Sequence, residues 1–284
     1  MALGVRVVLD VLGAAMTGWT LRAKQVAALR LDMRAITPLA LAALTQAEVE
    51  RVPVGYGNAL VALAEFFHVA PAPDGTLRFA ADLTRCDRVG WQMEGGTLIV
   101  EGSVGDYAGA CMRGGEVSVQ GSARDLAACE MTGGTLRIGA NVGDFAASTL
   151  PGSMDGMRGG TLVVNGHAGA RCADRMRRGT VVVHGDAGDF LGSRMVAGTV
   201  ALGGRCAAHC GYGMRRGSVV FAGAAPSVAQ TFVQGIAETP VFWQLLARNL
   251  AQHGGAFTDL AARPISRWLG DLAAGGKGEL ILAE

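Results

Sequence analysis

The sequence predicts an all-β chain: a right-handed parallel β-helix of about seven 19-residue coils, with small helical and strand segments flanking it. Three observations predict this fold. Glycines and methionines recur with a 19-residue period, alternating apolar residues follow each recurring glycine, and further glycines come at intervals of three and four. The chain has 284 residues, of which 43 are glycine, about twice the usual share.

The repeat comes first, because self-similarity at a fixed period decides the architecture. The phrase Gly-Gly-Thr-Leu and its variants keep the 19-residue step, apart from one longer step where the segment 149–155 (TLPGSMD) is inserted. The recurring glycines are Gly96, Gly115, Gly134, Gly160, Gly179, Gly198 and Gly217. The methionines in the same register are Met93, Met112, Met131, Met157, Met176, Met195 and Met214. We expect these methionines to form a ladder inside the rod, because unbranched thioethers fill irregular space.

Within each unit, alternation such as Leu98 and Val100 is typical of a strand with one buried face. Glycines then mark corners, since glycine allows positive φ and close backbone approach. The clearest are Gly102, Gly105, Gly109, Gly185, Gly188 and Gly192. Coils stacked at the strand spacing would form a rod of about 34 Å. Left-handed β-helices are built on hexapeptides, a phase that the 19-residue period does not fit, so the period indicates the right-handed form.

The flanks divide the chain further. Residues 1–15 are interpreted as a mis-assigned or flexible extension because Met16 is a second plausible start, 16–74 as an N-terminal cap, 75–223 as the β-helix, and 224–284 as a C-terminal helical cap with a final strand. The segment TPLALAALTQAEVERV predicts one short helix capped by Thr37. A second helix is predicted from Thr239-Pro240 to Gly254. Its apolar face is predicted to comprise Phe242, Leu245, Leu246 and Leu250.

Composition excludes several classes of function. A formal net charge of +1 gives no reason to expect nucleic acid or an anionic membrane as partner. The apolar runs are shorter than a membrane span. Six cysteines without a C-x-x-C pair indicate reduced thiols and a cytoplasmic protein.

Stacking turns repeated polar positions into columns. The acidic column contains Asp106, Asp125, Asp144 and Asp189. Such carboxylates could bind calcium or serve a polysaccharide lyase, but at a corner glycine each is more simply explained as a cap on its own turn. The basic column, a candidate anion or partner edge, contains Arg113, Arg158, Arg177 and Arg215, with Arg178 and Arg216 beside it. It could equally be a solvated corner.

Cys206, His209 and Cys210 form a C-x2-H-C cluster, but no second cluster supplies the further ligands that zinc requires. Cys172 shares the column of Cys210 two coils away, so small thiols filling that column are the better interpretation. The sequence has no Walker loop, no G-x-S-x-G elbow and no HExxH motif. We therefore predict no catalytic, cofactor-binding or metal residues in this chain.

The unit Gly-x2-Gly-x3-Gly-x2-Met resembles the GXGXG-type β-helix of two families. One is the last domain of the glutamate synthase large subunit, which is similar only over about 75–223. The other is the C subunit of formylmethanofuran dehydrogenase and of the related bacterial formyltransferase/hydrolase complex, which is similar over nearly the whole chain from Met16. That likeness includes AEVERVPVGYGNALVALAEFFHV, TPVFWQLLARNLAQHG and GDLAAGGKGELIL. Residues 1–15 are not expected from this family.

The resemblance implies a non-catalytic scaffold subunit. In such a complex a formyl group passes from formyl-tetrahydromethanopterin to methanofuran and is released as formate in one-carbon metabolism. Methanofuran, tetrahydromethanopterin and the catalytic metal are expected on the sibling chains, which are an amidohydrolase-like A subunit, a B subunit, and a formyltransferase D subunit. Three alternatives remain open at this stage: the C subunit of an archaeal tungsten or molybdenum formylmethanofuran dehydrogenase, a calcium-dependent carbohydrate-active β-helix, and a stand-alone binding module using the arginine edge.

Overall fold

The computed structural model describes residues 18–235 and 241–284. The extension over 1–15 and the predicted helix start at Thr239 and Pro240 lie outside these residues. The strands are β1 (Gly18–Ala23), β2 (Leu31–Asp32), β3 (Pro53–Tyr56), β4 (Ala59–Ala62), β5 (Phe67–Ala72), β6 (Leu77–Ala80), β7 (Cys86–Asp87), β8 (Thr97–Val100), β9 (Glu116–Val119), β10 (Thr135–Ile138), β11 (Arg158–Val164), β12 (Arg178–Val183), β13 (Thr199–Leu202), β14 (Ser218–Phe221), β15 (Val233–Gln234), β16 (Ile265–Gly270) and β17 (Gly278–Ala283). The helices are α1 (Pro38–Leu41), α2 (Gln46–Arg51) and α3 (Val241–Ala251), and one-turn 3₁₀ helices cover Leu63–Glu65, Gly255–Phe257, Leu260–Ala262 and Leu272–Ala274.

The predicted all-β class is confirmed. Thirteen strands form one sheet in the order β15-β16-β17-β14-β13-β12-β11-β10-β9-β8-β6-β1-β5. A smaller sheet has the order β4-β3-β2-β7. The longest described helix, α3, has 11 residues, and none in the described ranges is long and apolar enough to cross a membrane.

Equivalent positions of successive units lie side by side. The strands β8 to β14 pair in parallel, so that Leu98 is opposite Val117, and Leu136 is opposite Leu162 across the insertion. Isolated parallel bridges form a second line of contacts between the same units. That line runs through Leu83, Val104, Ala123, Val142, Ala168, Ala187 and Cys206. Each unit therefore stacks on the preceding one along two separate lines.

The alternation of residues along the strands determines which side chains are buried inside the stack. In β8, Leu98 and Val100 are fully buried, whereas Thr97 and Ile99 are half-buried. All seven methionines of the repeat are at most 1% exposed. Burying one such side chain stabilises the fold by about 1.5–3 kcal/mol, so the apolar register drives the stacking of the units.

The corner glycines are required for two different reasons. Gly109 and Gly192 have φ angles of +61° and +64°, the left-handed region that favours glycine. The other four corner glycines have no positive φ, and close approach explains them. A Cβ on Gly102 would lie 2.6 Å from the Cα of Asp82, and one on Gly188 would lie 2.8 Å from the backbone nitrogen of Ala170. The preceding unit thus leaves no space for a side chain.

The N-terminal region differs from the single helix predicted there. Helix α1 begins after Thr37 as expected, but it ends at Leu41. A second helix, α2, begins after Thr45. Thr45 forms a capping box: its Oγ1 accepts from the N–H of Glu48, and its own N–H donates to Glu48 Oε2 at 2.8 Å. The extended backbone that Thr45 adopts as an N-cap starts a new helix and is incompatible with one continuous helix through this position. Next to these helices, β1 pairs antiparallel with β5 and parallel with β6.

The C-terminal region corrects the predicted apolar face of its helix. Trp243, Ala247 and Leu250 are the buried residues of α3, whereas Phe242 and Leu245 are 38% and 63% exposed. The buried side chains pack on the outer face of the large sheet, against residues that include Val182 and Val220. Beyond the helix, the chain ends in the strand β17, which pairs in parallel with β14, and β16 returns antiparallel to it.

Candidate functional site

The carboxylates of the acidic column accept hydrogen bonds from backbone N–H groups of the next unit in the stack. Asp125 Oδ1 accepts from the N–H of Asp144 at 2.9 Å, and Asp144 Oδ1 accepts from the N–H of Ala170 at 2.7 Å. The same contact joins Asp106 to Asp125 at 3.3 Å and Asp189 to Ala208 at 2.9 Å. Each carboxylate therefore caps the next unit rather than its own turn. It satisfies a backbone donor that the short corner leaves without a strand partner.

A second polar column, which the sequence reasoning missed, performs the same task just before the aspartates. Ser103 Oγ accepts from the N–H of Ser122 at 3.0 Å, Asn141 Oδ1 accepts from the N–H of His167 at 2.8 Å, and His167 Nδ1 accepts from the N–H of Asp186 at 2.9 Å. The residue types differ from unit to unit, and what the members share is a side-chain atom that accepts a hydrogen bond. Its constant offset from the aspartate register is the signal that could have revealed it.

The side chains of the cysteine and histidine cluster are engaged with neighbours in the stack. No group of three or more His, Cys, Asp or Glu side chains suited to a metal ion occurs within 18–235 and 241–284. The His209 ring stacks on Phe190 with centroids 4.8 Å apart. The Cys206 thiol is hydrogen-bonded to Cys210, which lowers the pKa of Cys210. Burial raises the pKa of Cys172 to about 12, so that thiol stays protonated at neutral pH and is a poor ligand or nucleophile.

The structure divides the four arginines of the predicted edge. Arg113 is paired with Glu94 at 2.6 Å, away from the others. Arg158, Arg177 and Arg215 line a set of adjoining hollows, in which Arg158 lies 3.6 Å from Glu130 and Arg177 lies 2.6 Å from Asp155. The predicted edge is therefore a local feature of the C-terminal half of the stack.

These hollows form one basic groove. They measure 540, 490 and 340 Å³ and meet at Val196. One acidic side chain, that of Asp155, is found among the described residues lining them. The cationic side chains of the groove are Arg158, Arg175, Arg177, Arg178, Arg194, Arg215, Arg216 and Lys277. Arg175, Arg194 and Lys277 were not predicted: the first two occupy the same register position in successive units, and Lys277 comes from the segment before β17.

Charge is unbalanced along the groove. Arg158, Arg177 and Arg194 each have a carboxylate within 4 Å. Within the described part of the chain the other five cations of the groove form no such pair. Because the whole chain carries a formal charge of only +1, this concentration of positive charge gives the groove the chemistry of a site for carboxylates or phosphates.

Comparison with known proteins adds two relatives. No family model matches the chain. The C subunit of the formyltransferase/hydrolase complex Fhc of Methylorubrum extorquens is 39% identical over 76 residues, an alignment that covers 27% of this chain and 29% of that protein. A chain in the crystal structure of the formyltransferase/hydrolase complex FhcABCD of Methylorubrum extorquens, determined with methylofuran, is 37% identical with a TM-score of 0.87. That structural match covers 93% of this chain and 99% of the other.

Proposed function

Because the chain belongs to the family of the C subunit of the formyltransferase/hydrolase complex, we propose that it is a non-catalytic scaffold in such a complex. The observation that carries the proposal is the near full-length likeness, with a TM-score of 0.87, to a chain of FhcABCD. The complex would move a formyl group from formyl-tetrahydromethanopterin to a methanofuran-type carrier and release formate. The A, B and D subunits would be its partners.

The contacts of the polar side chains in the described residues are consistent with a scaffold role. The polar columns are used to bond backbone N–H groups, and the donor set needed for a catalytic metal is not assembled within 18–235 and 241–284. We therefore assign the metal and the carrier's reacting end to sibling chains. An archaeal-type dehydrogenase is not favoured, since both relatives belong to the hydrolytic complex. A calcium-dependent carbohydrate enzyme is not favoured because the aspartates are already engaged.

We propose the finer architecture on the same basis: a right-handed parallel β-helix over 75–223, an N-terminal cap over 16–74 and a C-terminal cap over 224–284. The two lines of parallel contacts, both of which follow the repeat of the sequence, support it. All six cysteines are free thiols, which supports a cytoplasmic location.

Affinity purification of the tagged chain from its host tests the scaffold role. We expect it to be recovered in a fixed ratio with an amidohydrolase-like chain and a formyltransferase chain, identified by mass spectrometry, because a scaffold is bound stably by its partners. The control is the same tag on an unrelated protein of similar abundance. Recovery of this chain alone as a stable monomer would contradict the proposal.

The basic groove is proposed as the anion or partner edge, receiving carboxylates or phosphates from a neighbouring subunit or from a bound ligand. Arg215→Gln with Arg216→Gln is expected to weaken that interaction at least about tenfold, since charge-assisted hydrogen bonds are the strong ones. Native mass spectrometry of the complex at increasing salt measures it and separates the two sources: a subunit is lost early, or a small anionic ligand is lost while all subunits stay.

The matched control is Arg113→Gln with Arg137→Gln, which removes two exposed arginines paired with Glu94 and Glu116 outside the groove. If the groove variant retains every subunit and every small anion up to the same salt concentration as this control, the groove is only a solvated corner.

A further inference from the structure

The outer edge of the small sheet has no partner strand among residues 18–235 and 241–284. Strand β4 is its terminal strand in the order β4-β3-β2-β7. It pairs with β3 through a two-residue turn, with Tyr56 opposite Ala59 and Val54 opposite Val61, and the N–H of Leu63 continues the ladder to Val52 O at 2.9 Å. In an antiparallel pair, alternate residues direct both backbone groups toward the partner strand. The backbone groups of Leu60 and Ala62 therefore point away from β3.

This edge lacks the features that normally protect an exposed strand. Proteins blunt open edges with charges, prolines or bulges, whereas the segment 58–64 (NALVALA) has no charge and no proline. Leu60 is 74% exposed. At the edges of the large sheet, β5 carries Pro71 and β15 is two residues long. The edge of β4 is thus a four-residue apolar template for another strand.

A hollow lies directly beside the edge. It measures about 410 Å³ and is lined in part by Val61, Tyr56 and Phe66; the rings of the last two are 5.1 Å apart. Val26 on the facing loop is 87% exposed. The loop is held in place, because Lys24 Nζ donates to Ala64 O at 2.6 Å and Gln25 Nε2 donates to Glu65 O at 3.2 Å. The hollow is therefore formed before anything binds.

We propose that an extended segment from another chain of the complex adds to β4 as a fifth strand, which rests on the scaffold role proposed above. Its backbone would bond to Leu60 and Ala62, and an alternate apolar side chain would enter the hollow beside Val61, as in β-strand addition. Glu65 lines the same hollow and has no cation within 4 Å in the described part of the chain. A basic residue next to the apolar one on the added segment would pair with this exposed carboxylate.

Charge favours a different chain over a second copy of this one. If two copies paired through β4, each would present the uncharged segment 58–64 to the other. Glu65 would then gain no cation from the strand that adds. A non-identical chain with an apolar and a basic residue in an extended stretch satisfies the backbone, the hollow and the carboxylate together.

The test uses the full chain in its purified complex. A benzophenone amino acid at Leu60 is expected to cross-link to an extended, basic peptide of a sibling chain, and the amides of Leu60 and Ala62 are expected to exchange hydrogen at least about 100-fold more slowly in the complex than in the isolated chain. The control is the same amino acid at Leu39, which is 47% exposed on α1, and it is expected to give no such cross-link.

Each other outcome overturns the proposal in a distinguishable way. A cross-link from Leu60 to a second copy, or to residues 1–17 of the same chain, names a different occupant. An intact complex without a cross-link and with fast amides leaves the scaffold role standing and shows that β4 is uncovered. A chain that purifies alone, with fast Leu60 and Ala62 amides, removes both proposals.

Discussion

Gly105→Ala is expected to destabilise the chain by about 3 kcal/mol, because the added methyl group would overlap a backbone carbonyl oxygen that cannot move without shifting the neighbouring unit. A Cβ at this position would lie 2.5 Å from the carbonyl oxygen of Cys86, which is a backbone atom, and 2.6 Å from Arg30 Nη2, which can move aside. The same glycine donates its N–H to Cys86 O at 2.9 Å. Relieving the clash therefore means separating two stacked units along one of their contact lines.

Gly152→Ala is the matched control, since it isolates backbone strain from crowding. Gly152 has a φ of +85°, and a Cβ there would meet nothing within 4 Å. The left-handed conformation alone costs a non-glycine residue about 1–2 kcal/mol. Urea denaturation of both purified variants compares the free energies of unfolding. Equal losses in the two would mean that crowding between units is not what requires the corner glycines.

The same variant separates an effect on folding from an effect on assembly. Gly105 lies near the N-terminal region, because Arg30, from the loop before β2, reaches the carboxylates of Asp87 and Asp106. Disruption there should lower the yield of any complex by removing folded chain. The loss of complex for Gly105→Ala should therefore be proportional to the loss of soluble chain, with unchanged binding by the fraction that folds.

The stack could be predicted from the sequence because its register is repeated. Seven methionines and seven glycines in one period specify which residues must lie side by side, and a pattern that recurs seven times outweighs any local ambiguity. The columns built from one residue type, such as the aspartates, were visible for the same reason. The column of Ser103, Asn141 and His167 was not, because its residue types differ from unit to unit and its members share only the ability to accept a hydrogen bond at one register position.

The segments that flank the stack are not repeated, so their structure depends on packing and capping at single positions. In α3 apolar residues occupy nearly every side of the helix, and the face chosen is the one whose Trp243 and Ala247 fit the sheet, not the one richest in leucine. The break at Thr45 depended on a cap that competes with helix continuation. The groove gained Lys277 only because β17 joins the sheet beside β14, a long-range pairing that no local pattern reveals.

Asp174→Ala is expected to destabilise the chain by about 2–4 kcal/mol through loss of a buried ion pair beneath the groove. The Asp174 side chain is 3% exposed. It accepts from Ser193 Oγ at 2.7 Å and from Arg194 Nε at 2.9 Å. Removing it leaves the buried Ser193 hydroxyl without its acceptor and Arg194 without its counter-charge. Arg194 is 38% exposed, so water recovers part of its loss and the effect stays below that of a fully buried pair.

Asp155→Ala provides the comparison on the same groove. Asp155 pairs with Arg177 at 2.6 Å, but the two side chains are 37% and 45% exposed, and such surface pairs contribute about 0–1 kcal/mol. Denaturant midpoints of the two variants, with Asp174→Asn as an intermediate that keeps the acceptor for Ser193, measure the difference. If Asp174→Ala is no less stable than Asp155→Ala, the desolvation of the buried carboxylate must offset its hydrogen bonds. Arg194 would then be held for charge in the groove rather than for the fold.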